Sequence, residues 1–514
     1  MQNNSSYPQL IATNFGPIKR AAIELRPLSV FVGPSNTGKS YLSILIYVLH
    51  KFFGHQASRL LYRSPTGFKS LLSPNSNDDI NQLSTSLAKL AENLSNFRTN
   101  RSKVQSDFVL PEPFGSSFKS ILSNTDTTLL EEEIIRCFGL ELDGLLHMDG
   151  DSSPQIEIRR LADESDNSID FKFSLKSENP ESRITIPLEM PVKIYGNSPI
   201  PSPKFSFPTE AEDYLEPNGK ALNILGSRLL RTILPYIAAS IWEPYGRNAY
   251  YLPADRTGIM HAHKAIVGAI LGNIAMAGIR HTPDMPQLTG VLSDFLEVLI
   301  SLDDNPSYPV HHRLRKPSAQ LEKICTTMEE KILMGSILTQ NSEITKYPQF
   351  VYQPKGRKTI LPLKNSSSMV SELAPILLYL RHKVNPGDVL IIEEPESHLH
   401  PAVQVQLTRL LVAIVNEGVR VIVTTHSEWI LEELANLVSL SSIQKRERAS
   451  IDGHEEALDP QDIGAWLFQQ GDQTNGSIVE RIDIDESGLY PAGFEEVATA
   501  LYNKSARIFN QTKN

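Results

Sequence analysis

One eight-residue stretch, Gly33-Pro-Ser-Asn-Thr-Gly-Lys-Ser40, constrains this chain more than any other. It reads G-x-x-x-x-G-K-S. The apolar run Leu28-Ser-Val-Phe-Val32 before it predicts a buried strand, and Tyr41 to His50 after it predicts a helix. Strand, glycine-rich turn and helix, in that order, form a loop that cradles a polyphosphate. Glycine at 33 and 38 lets the backbone curl close to phosphate oxygens without a Cβ in the way. Successive N–H groups and the helix N-terminus supply partial positive charge. Lys39 adds a point charge at the β- and γ-phosphates, and the Ser40 hydroxyl is placed to ligate Mg2+. The expected ATP-binding set is Gly33, Pro34, Ser35, Asn36, Thr37, Gly38, Lys39, Ser40 and Tyr41.

At 514 residues the chain is too long for one ordinary domain, and its 40% hydrophobic content allows a sizeable core. The net charge of −10 argues against a globally basic nucleic-acid coat and leaves room only for a local basic groove. Two cysteines, Cys137 and Cys325, offer neither a metal cluster nor a disulfide framework, which suits a reducing cytosol. The first eight residues lack the basic and apolar regions of a secretion signal. The long apolar run Ile224 to Trp242 is broken by Arg228 and Arg231 and predicts an amphipathic helix, not a membrane span. A cytoplasmic protein without membrane contact is expected.

Two strands, Leu10–Phe15 and Ala21–Leu25, flank a turn at Gly16-Pro17 and lead into the Leu28–Val32 strand. Residues 63–128 turn polar around one helical stretch, 80–94. Alternating apolar and polar residues at Ile156-Glu-Ile-Arg, Ile169 to Leu175 and Ile184-Thr-Ile-Pro-Leu predict half-exposed strands. The proline-rich 198–203 segment reads as a linker. Residues 219–342 read as mostly helical, interrupted by the strand Ala249-Tyr-Tyr-Leu252. From Phe350 onward strands and helices alternate: a helix over 370–381, a strand at Val389-Leu-Ile-Ile392, a helix from Pro401 to Asn416 and a strand over 420–424. That spacing means a parallel sheet with helical crossovers. The expectation is an α/β phosphate-loop fold split between residues 8–55 and 346–440, with a large mixed α+β insertion at 56–345 forming a helical arm or lobe. A small extension over 441–514 closes the chain, read as a strand pair at Trp466-Leu-Phe468 and Ile478 to Asp485 and a helix from Phe494 to Tyr502.

The buried run Val389-Leu-Ile-Ile ends in two acids, Glu393 and Glu394. Ligands bind at the carboxyl ends of parallel strands. The first acid would help hold Mg2+ and the second would orient or deprotonate an attacking water. His426 ends the next apolar strand, where it could reach the γ-phosphate.

Together Gly33–Ser40, Ile391-Ile-Glu-Glu-Pro-Glu-Ser-His-Leu-His-Pro401 and Val423-Thr-Thr-His-Ser427 resemble the ATP-binding-cassette ATPases of the chromosome-maintenance and repair type. The Glu-Pro-Glu-x-His-Leu-His-Pro string is most similar to the bacterial branch of the overcoming-lysogenisation-defect proteins and the ATPase subunits of antiphage systems such as Septu. Tyr251-Leu-Pro-Ala-Asp-Arg256 also resembles an element of that branch. The resemblance implies a homodimer or higher oligomer that sandwiches ATP and Mg2+ between the phosphate loop of one copy and a signature motif of the other. By position that motif lies in Ser366–Glu372, with Ser367, Ser368 and Ser371 as candidates; serines stand where the family has glycines. Glu393 replaces the family's usual Asp, and His400 stands where an Asp is common. A separate effector protein such as a nuclease, and DNA, are the partners the resemblance implies.

Two basic clusters, His311 to Lys316 and Lys355-Gly-Arg-Lys358, could touch phosphate backbones, although solvated surface charge is the favoured reading of each. Asp483 and Asp485 alternate with isoleucine as on the exposed face of a strand. Three functions are open: a dimeric Mg2+–ATPase coupled to an effector, a nucleotide-gated scaffold with little turnover, and a repair ATPase acting on DNA.

Overall fold

The computed structural model describes residues 7–63, 105–108, 128–145, 154–162, 167–174, 181–185, 192–195, 245, 247–276, 288–302, 318–341, 348–448, 450–471, 476–485, 488–489 and 504. The helices expected at 80–94, 224–242 and 494–502, the linker at 198–203 and the basic cluster at 311–316 lie outside these residues.

β1 (Gln9–Phe15) and β2 (Ile18–Glu24) form a hairpin around Gly16-Pro17, and β3 (Leu28–Val32) follows, buried along its whole length. α1 (Lys39–Arg63) starts directly after the glycine-rich loop. β4 (Gln105–Phe108), α2 (Thr128–Phe138), β5 (Gln155–Ala162), β6 (Asn167–Ser174), β7 (Glu181–Thr185) and β8 (Val192–Tyr195) come next, and β4 pairs with β8 as a separate ribbon. β9 (Ala249–Leu252) leads into α3 (Arg256–Met276), α4 (Gly290–Ser301) and α5 (Ala319–Thr327). A π-helical turn over Met328–Leu333 then hands the chain to β10 (Gly335–Asn341), β11 (Pro348–Pro354) and β12 (Leu361–Pro362), a small antiparallel sheet. The helical reading of 219–342 therefore fails at its end. Gly335 sits so close to Tyr352 and the Gln353 carbonyl of the neighbouring strand that no side chain fits there, and Ile337 is buried beneath.

α6 (Ser368–His382), β13 (Val389–Glu393), α7 (Pro401–Asn416), β14 (Arg420–Thr425) and α8 (Glu428–Ser442) run close to the spacing the sequence predicts. β15 (Ile463–Gln470) and β16 (Ser477–Ile482) are the expected strand pair of the tail.

Eleven strands share one sheet in the order β7-β6-β5-β1-β2-β16-β15-β3-β14-β13-β9. From β15 to β9 every pairing is parallel; from β2 outward to β7 every pairing is antiparallel. Strands from within 56–345 and 441–514 thus lie in the same sheet as those from 8–55 and 346–440. The parallel strands are apolar on both faces, as a sheet covered on both sides requires. Phe31, Ile391, Ile422 and Trp466 point to the layer of α1 and α2. Val30, Val32, Leu390, Ile392, Val421 and Val423 point to the layer built from α4, α6, α7 and α8. This period-two alternation fixes the register, since a one-residue slip would exchange the two cores.

Candidate functional site at the carboxyl edge of the sheet

β3, β14 and β13 are consecutive neighbours, with Val32 paired to Thr425 and Thr424 paired to Glu393. The chain segments leaving them, Gly33–Ser40, Glu394 and His426, therefore emerge side by side. Three stretches spread over almost four hundred residues meet at one edge, as the motifs require.

In the phosphate loop Gly33 has φ +143°, Asn36 φ +63° and Gly38 φ +94°. A Cβ on Gly33 would lie 2.3 Å from the Phe468 carbonyl oxygen of β15, and one on Gly38 would lie 2.6 Å from Ile18 Cγ1 of β2. Both glycines are needed for conformation and for space. Thr37 Oγ1 donates to the Pro34 carbonyl at 2.8 Å and closes the turn. Lys39 is 6% exposed, and its ammonium donates to the Gly33 and Pro34 carbonyls at 2.8 and 2.6 Å. Burial pushes this lysine down to about 8, against the opposing pull of the Glu394 and Glu396 carboxylates. That pull places those carboxylates within electrostatic reach of the loop. Pro34, Ser35, Asn36 and Ser40 are exposed, Tyr41 is half-buried, and no acidic residue occupies the first turn of α1. The positive end of that helix stays available to an anion.

Glu393 is 8% exposed. One carboxylate oxygen accepts from the Ala254 N–H at 3.1 Å; the other, Oε1, is buried without a hydrogen-bond partner. Glu394 adopts φ +41°, anchored by its N–H to the Thr424 carbonyl at 2.9 Å. Its carboxylate is open to solvent, 3.7 Å from His426 Nε2. Glu396, which sequence reasoning did not single out, accepts from Thr425 Oγ1 and the His426 N–H, both at 2.7 Å, and so ties the glutamate turn to the end of β14. Ser427 caps α8 by accepting from the Ile430 N–H, which fixes where His426 leaves the strand. His400 caps α7 through Nδ1 and the Ala402 N–H, with Pro401 in the first turn.

These residues suit Mg2+–ATP. A buried, unsatisfied carboxylate oxygen and an exposed serine hydroxyl at the loop are hard oxygen donors. Mg2+ typically takes only one or two carboxylates besides substrate phosphates and water. Among the described residues no cluster of three or more His, Cys, Asp or Glu could hold a metal ion by itself.

The serine run divides. Ser367 caps α6 by accepting from the Val370 N–H at 3.3 Å, and it and Ser368 are exposed. Ser371 is 1% exposed; its hydroxyl donates to the Leu363 carbonyl and sits 3.0 Å from His261 Nε2. Ser371 faces inward because α6 is buried on every side from Val370 to Leu380, whereas Ser367 and Ser368 stand at its exposed start. Lys355, Arg357 and Lys358 are exposed in the β11–β12 turn.

Arg256 and Glu372 were not recognised as partners in the sequence, where 116 positions separate them. Arg256 is fully buried and donates to the Glu393 and Glu394 carbonyls at 2.6 and 3.1 Å. No described helix is long and apolar enough to cross a membrane.

Residues 292–431 match the AAA ATPase domain family model, a span that includes Glu393, Glu394 and His426 but not the phosphate loop. No curated protein matches the chain in sequence. Three solved structures align over most of its length at low identity. One is an SMC head bound to the C-winged helix domain of ScpA, at 11% identity, covering 94% of this chain and 99% of that one, with TM-score 0.35. Another is the SMC head domain from Thermotoga maritima, at 10% identity, 93% and 98% coverage and TM-score 0.32. The third is an Smc head domain with an extended coiled coil bound to the C-terminal domain of ScpA derived from Pyrococcus furiosus, at 9% identity, 99% and 100% coverage and TM-score 0.36. TM-scores this low do not define a shared fold, so the fold class rests on the strand order and the phosphate loop. An α/β sheet carrying that loop, together with the ATPase-domain match, marks the chain as an ATPase.

Proposed function

We propose that this chain is a Mg2+-dependent ATPase whose copies close on one another around nucleotide. Gly33–Tyr41 would hold the ATP phosphates, with Lys39 on the β- and γ-phosphates. Ser40 and Glu393 would hold Mg2+, which when bound offsets phosphate charge. Glu394 orients and deprotonates the attacking water, and His426 senses the γ-phosphate. The observation that carries this reading is the adjacency of β3, β14 and β13, which brings the loop, the histidine and the twin glutamates to one edge. Catalysis of phosphoryl transfer is mostly positioning plus charge stabilisation, and this edge supplies both.

Ser367 and Ser368, exposed at the start of α6, would meet the nucleotide held by a second copy. Closure and reopening would then be read by DNA or by a separate effector such as a nuclease. An antiphage role is supported by the resemblance of Ile391–Pro401 to that branch of ATPases; a small nuclease gene beside this one would strengthen it, and a recombination operon would count against it. The decisive experiment is phosphate release by the wild type, Lys39→Ala and Glu394→Gln. Steady release that Lys39→Ala abolishes, with Glu394→Gln still binding ATP but not turning over, is the expected result. Normal turnover by Glu394→Gln removes that residue from its role. Glu393 in place of Asp and the serines in place of signature glycines favour a second reading, a nucleotide-gated scaffold. Sustained wild-type release would defeat it.

A further inference from the structure

Arg256 begins α3, just after β9 leaves the sheet, and its fully buried guanidinium reaches two parts of the molecule at once. Toward the sheet, Nη1 donates to the Glu393 carbonyl at 2.6 Å and the Pro253 carbonyl at 3.2 Å, and Nη2 donates to the Glu394 carbonyl at 3.1 Å. Toward α6, Nε donates to the Glu372 carbonyl at 3.3 Å and Nη2 lies 3.1 Å from Glu372 Oε1. Glu372 is itself 1% exposed, and its other oxygen accepts from Thr257 Oγ1, one residue beyond the arginine.

The chemistry explains why an arginine stands here. The carbonyls of Glu393 and Glu394 lie where β13 ends and the chain turns, and a buried carbonyl needs a donor. Glu394 also holds a left-handed backbone, φ +41°, which a non-glycine residue keeps only when its surroundings impose it. A planar fork of five N–H groups spread over three nitrogens can serve five acceptors on two sides at once; an ammonium, with three donors on one atom, cannot span them. Glu372 neutralises the buried cation, which would otherwise be strongly destabilising.

We infer that Arg256 is a positioning residue: it fixes the Glu393–Glu394 turn in its catalytic geometry and, through Glu372, ties that turn to the serine-capped helix α6. The inference rests on the ATPase reading of this edge and extends it. Arg256 touches neither nucleotide nor metal. It acts through the backbone of the two glutamates, so its loss misaims the water-activating carboxylate while the phosphate loop stays intact. The same side chain makes any shift of α6, the element whose exposed serines would face a second copy, felt at the glutamates.

The test uses the full chain and compares Arg256→Lys and Glu372→Gln with the wild type and Glu394→Gln. Phosphate release gives kcat and KM, a non-hydrolysed fluorescent ATP analogue gives Kd, and circular dichroism reports folding. Arg256→Lys should lower kcat by about 100-fold, the cost of a misplaced reacting group, with analogue Kd unchanged within about twofold. Wild-type kcat, or a folded Arg256→Lys protein that loses analogue binding and turnover together, overturns the inference. If Arg256→Lys does not fold, Glu372→Gln decides: about a tenfold fall in kcat at unchanged Kd supports the link, and wild-type kcat refutes it. Normal turnover by Glu394→Gln would instead remove Glu394 from its role, the premise on which this inference rests. Arrested Glu394→Gln beside normal Arg256→Lys would bring down this inference alone.

Discussion

ATP affinity should fall steeply as the solution turns alkaline, because of Lys39. The lysine must be an ammonium to hold phosphate oxygens, and bound polyphosphate keeps it protonated. In the nucleotide-free protein burial brings it down from the ordinary 10.5 to about 8. Between those values the free protein has lost a proton that the complex must take back. Affinity is therefore flat below about 8 and weakens about tenfold for each pH unit above it. Moving from about pH 7.5 to about pH 9.5 raises Kd by a factor of (1 + 10^1.5)/(1 + 10^−0.5), or about 25-fold. The assay is a titration with a non-hydrolysed ATP analogue, repeated by calorimetry in buffers of different ionisation enthalpy to count the proton taken up. The sign is fixed: a base whose free-state value is depressed takes up protons on binding an anion. A Kd unchanged to about pH 9.5, or an equal slope in Lys39→Ala, would show that the lysine is not the titrating phosphate ligand.

Three further outcomes follow from the same geometry. Gly33→Ala puts a Cβ 2.3 Å from the Phe468 carbonyl at φ +143°, so backbone strain of about 1–3 kcal/mol and a displaced loop are expected; a melt with unchanged midpoint and intact analogue binding would contradict this. Ending the chain after Leu440 removes β15 and β16 and leaves β3 with an unpaired edge, so the shortened protein should aggregate or fail to bind ATP, and soluble, nucleotide-binding material would refute the strand order. Ser367→Ala removes the cap of α6 at a cost of roughly 1 kcal/mol and, if the serine also meets nucleotide across a dimer, lowers turnover without changing the analogue Kd of the isolated chain; unaltered turnover would leave it a cap alone.

The residues of the edge were legible because each motif is local. A glycine-rich turn needs its glycines within a few residues of the lysine, and an acid at the end of an apolar run marks a strand's carboxyl end wherever that strand lies. What local pattern cannot show is which strands become neighbours. The pair β15–β16 reads as a short appendage in the sequence, yet it occupies the middle of the sheet between β3 and β2. The signal was present but ambiguous. Ile463 to Phe468 is buried without a break, the mark of a two-faced interior strand, whereas Ser477 to Ile482 is buried only at its two ends. Arg256 was equally opaque. Its partners lie on β13 and α6, and nothing in the Pro253–Arg256 stretch says what its guanidinium will meet. Ser371 shows the opposite limit: a run of serines reads as surface, yet α6 is buried on every side from Val370 to Leu380, and Ser371 with it.

The sheet order also explains why both chain ends bear on one loop. Gly38 rests on Ile18 of β2 and Gly33 rests on the Phe468 carbonyl of β15, so strands far apart in the chain form the walls of the phosphate loop. β2 belongs to the antiparallel wing, where the Pro17 carbonyl accepts from the Ser477 N–H of β16 at 2.7 Å and the Gly16 N–H reaches the Leu145 carbonyl at 2.8 Å. Close-packed interiors transmit displacement because they hold no slack to absorb it. A loop braced this tightly cannot widen without pushing β2 or β15. On its other flank it answers to β14 and the glutamate turn. Any change of loop shape is thus felt together by β2 of the antiparallel wing, through Ile18, and by the tail strand β15, through Phe468.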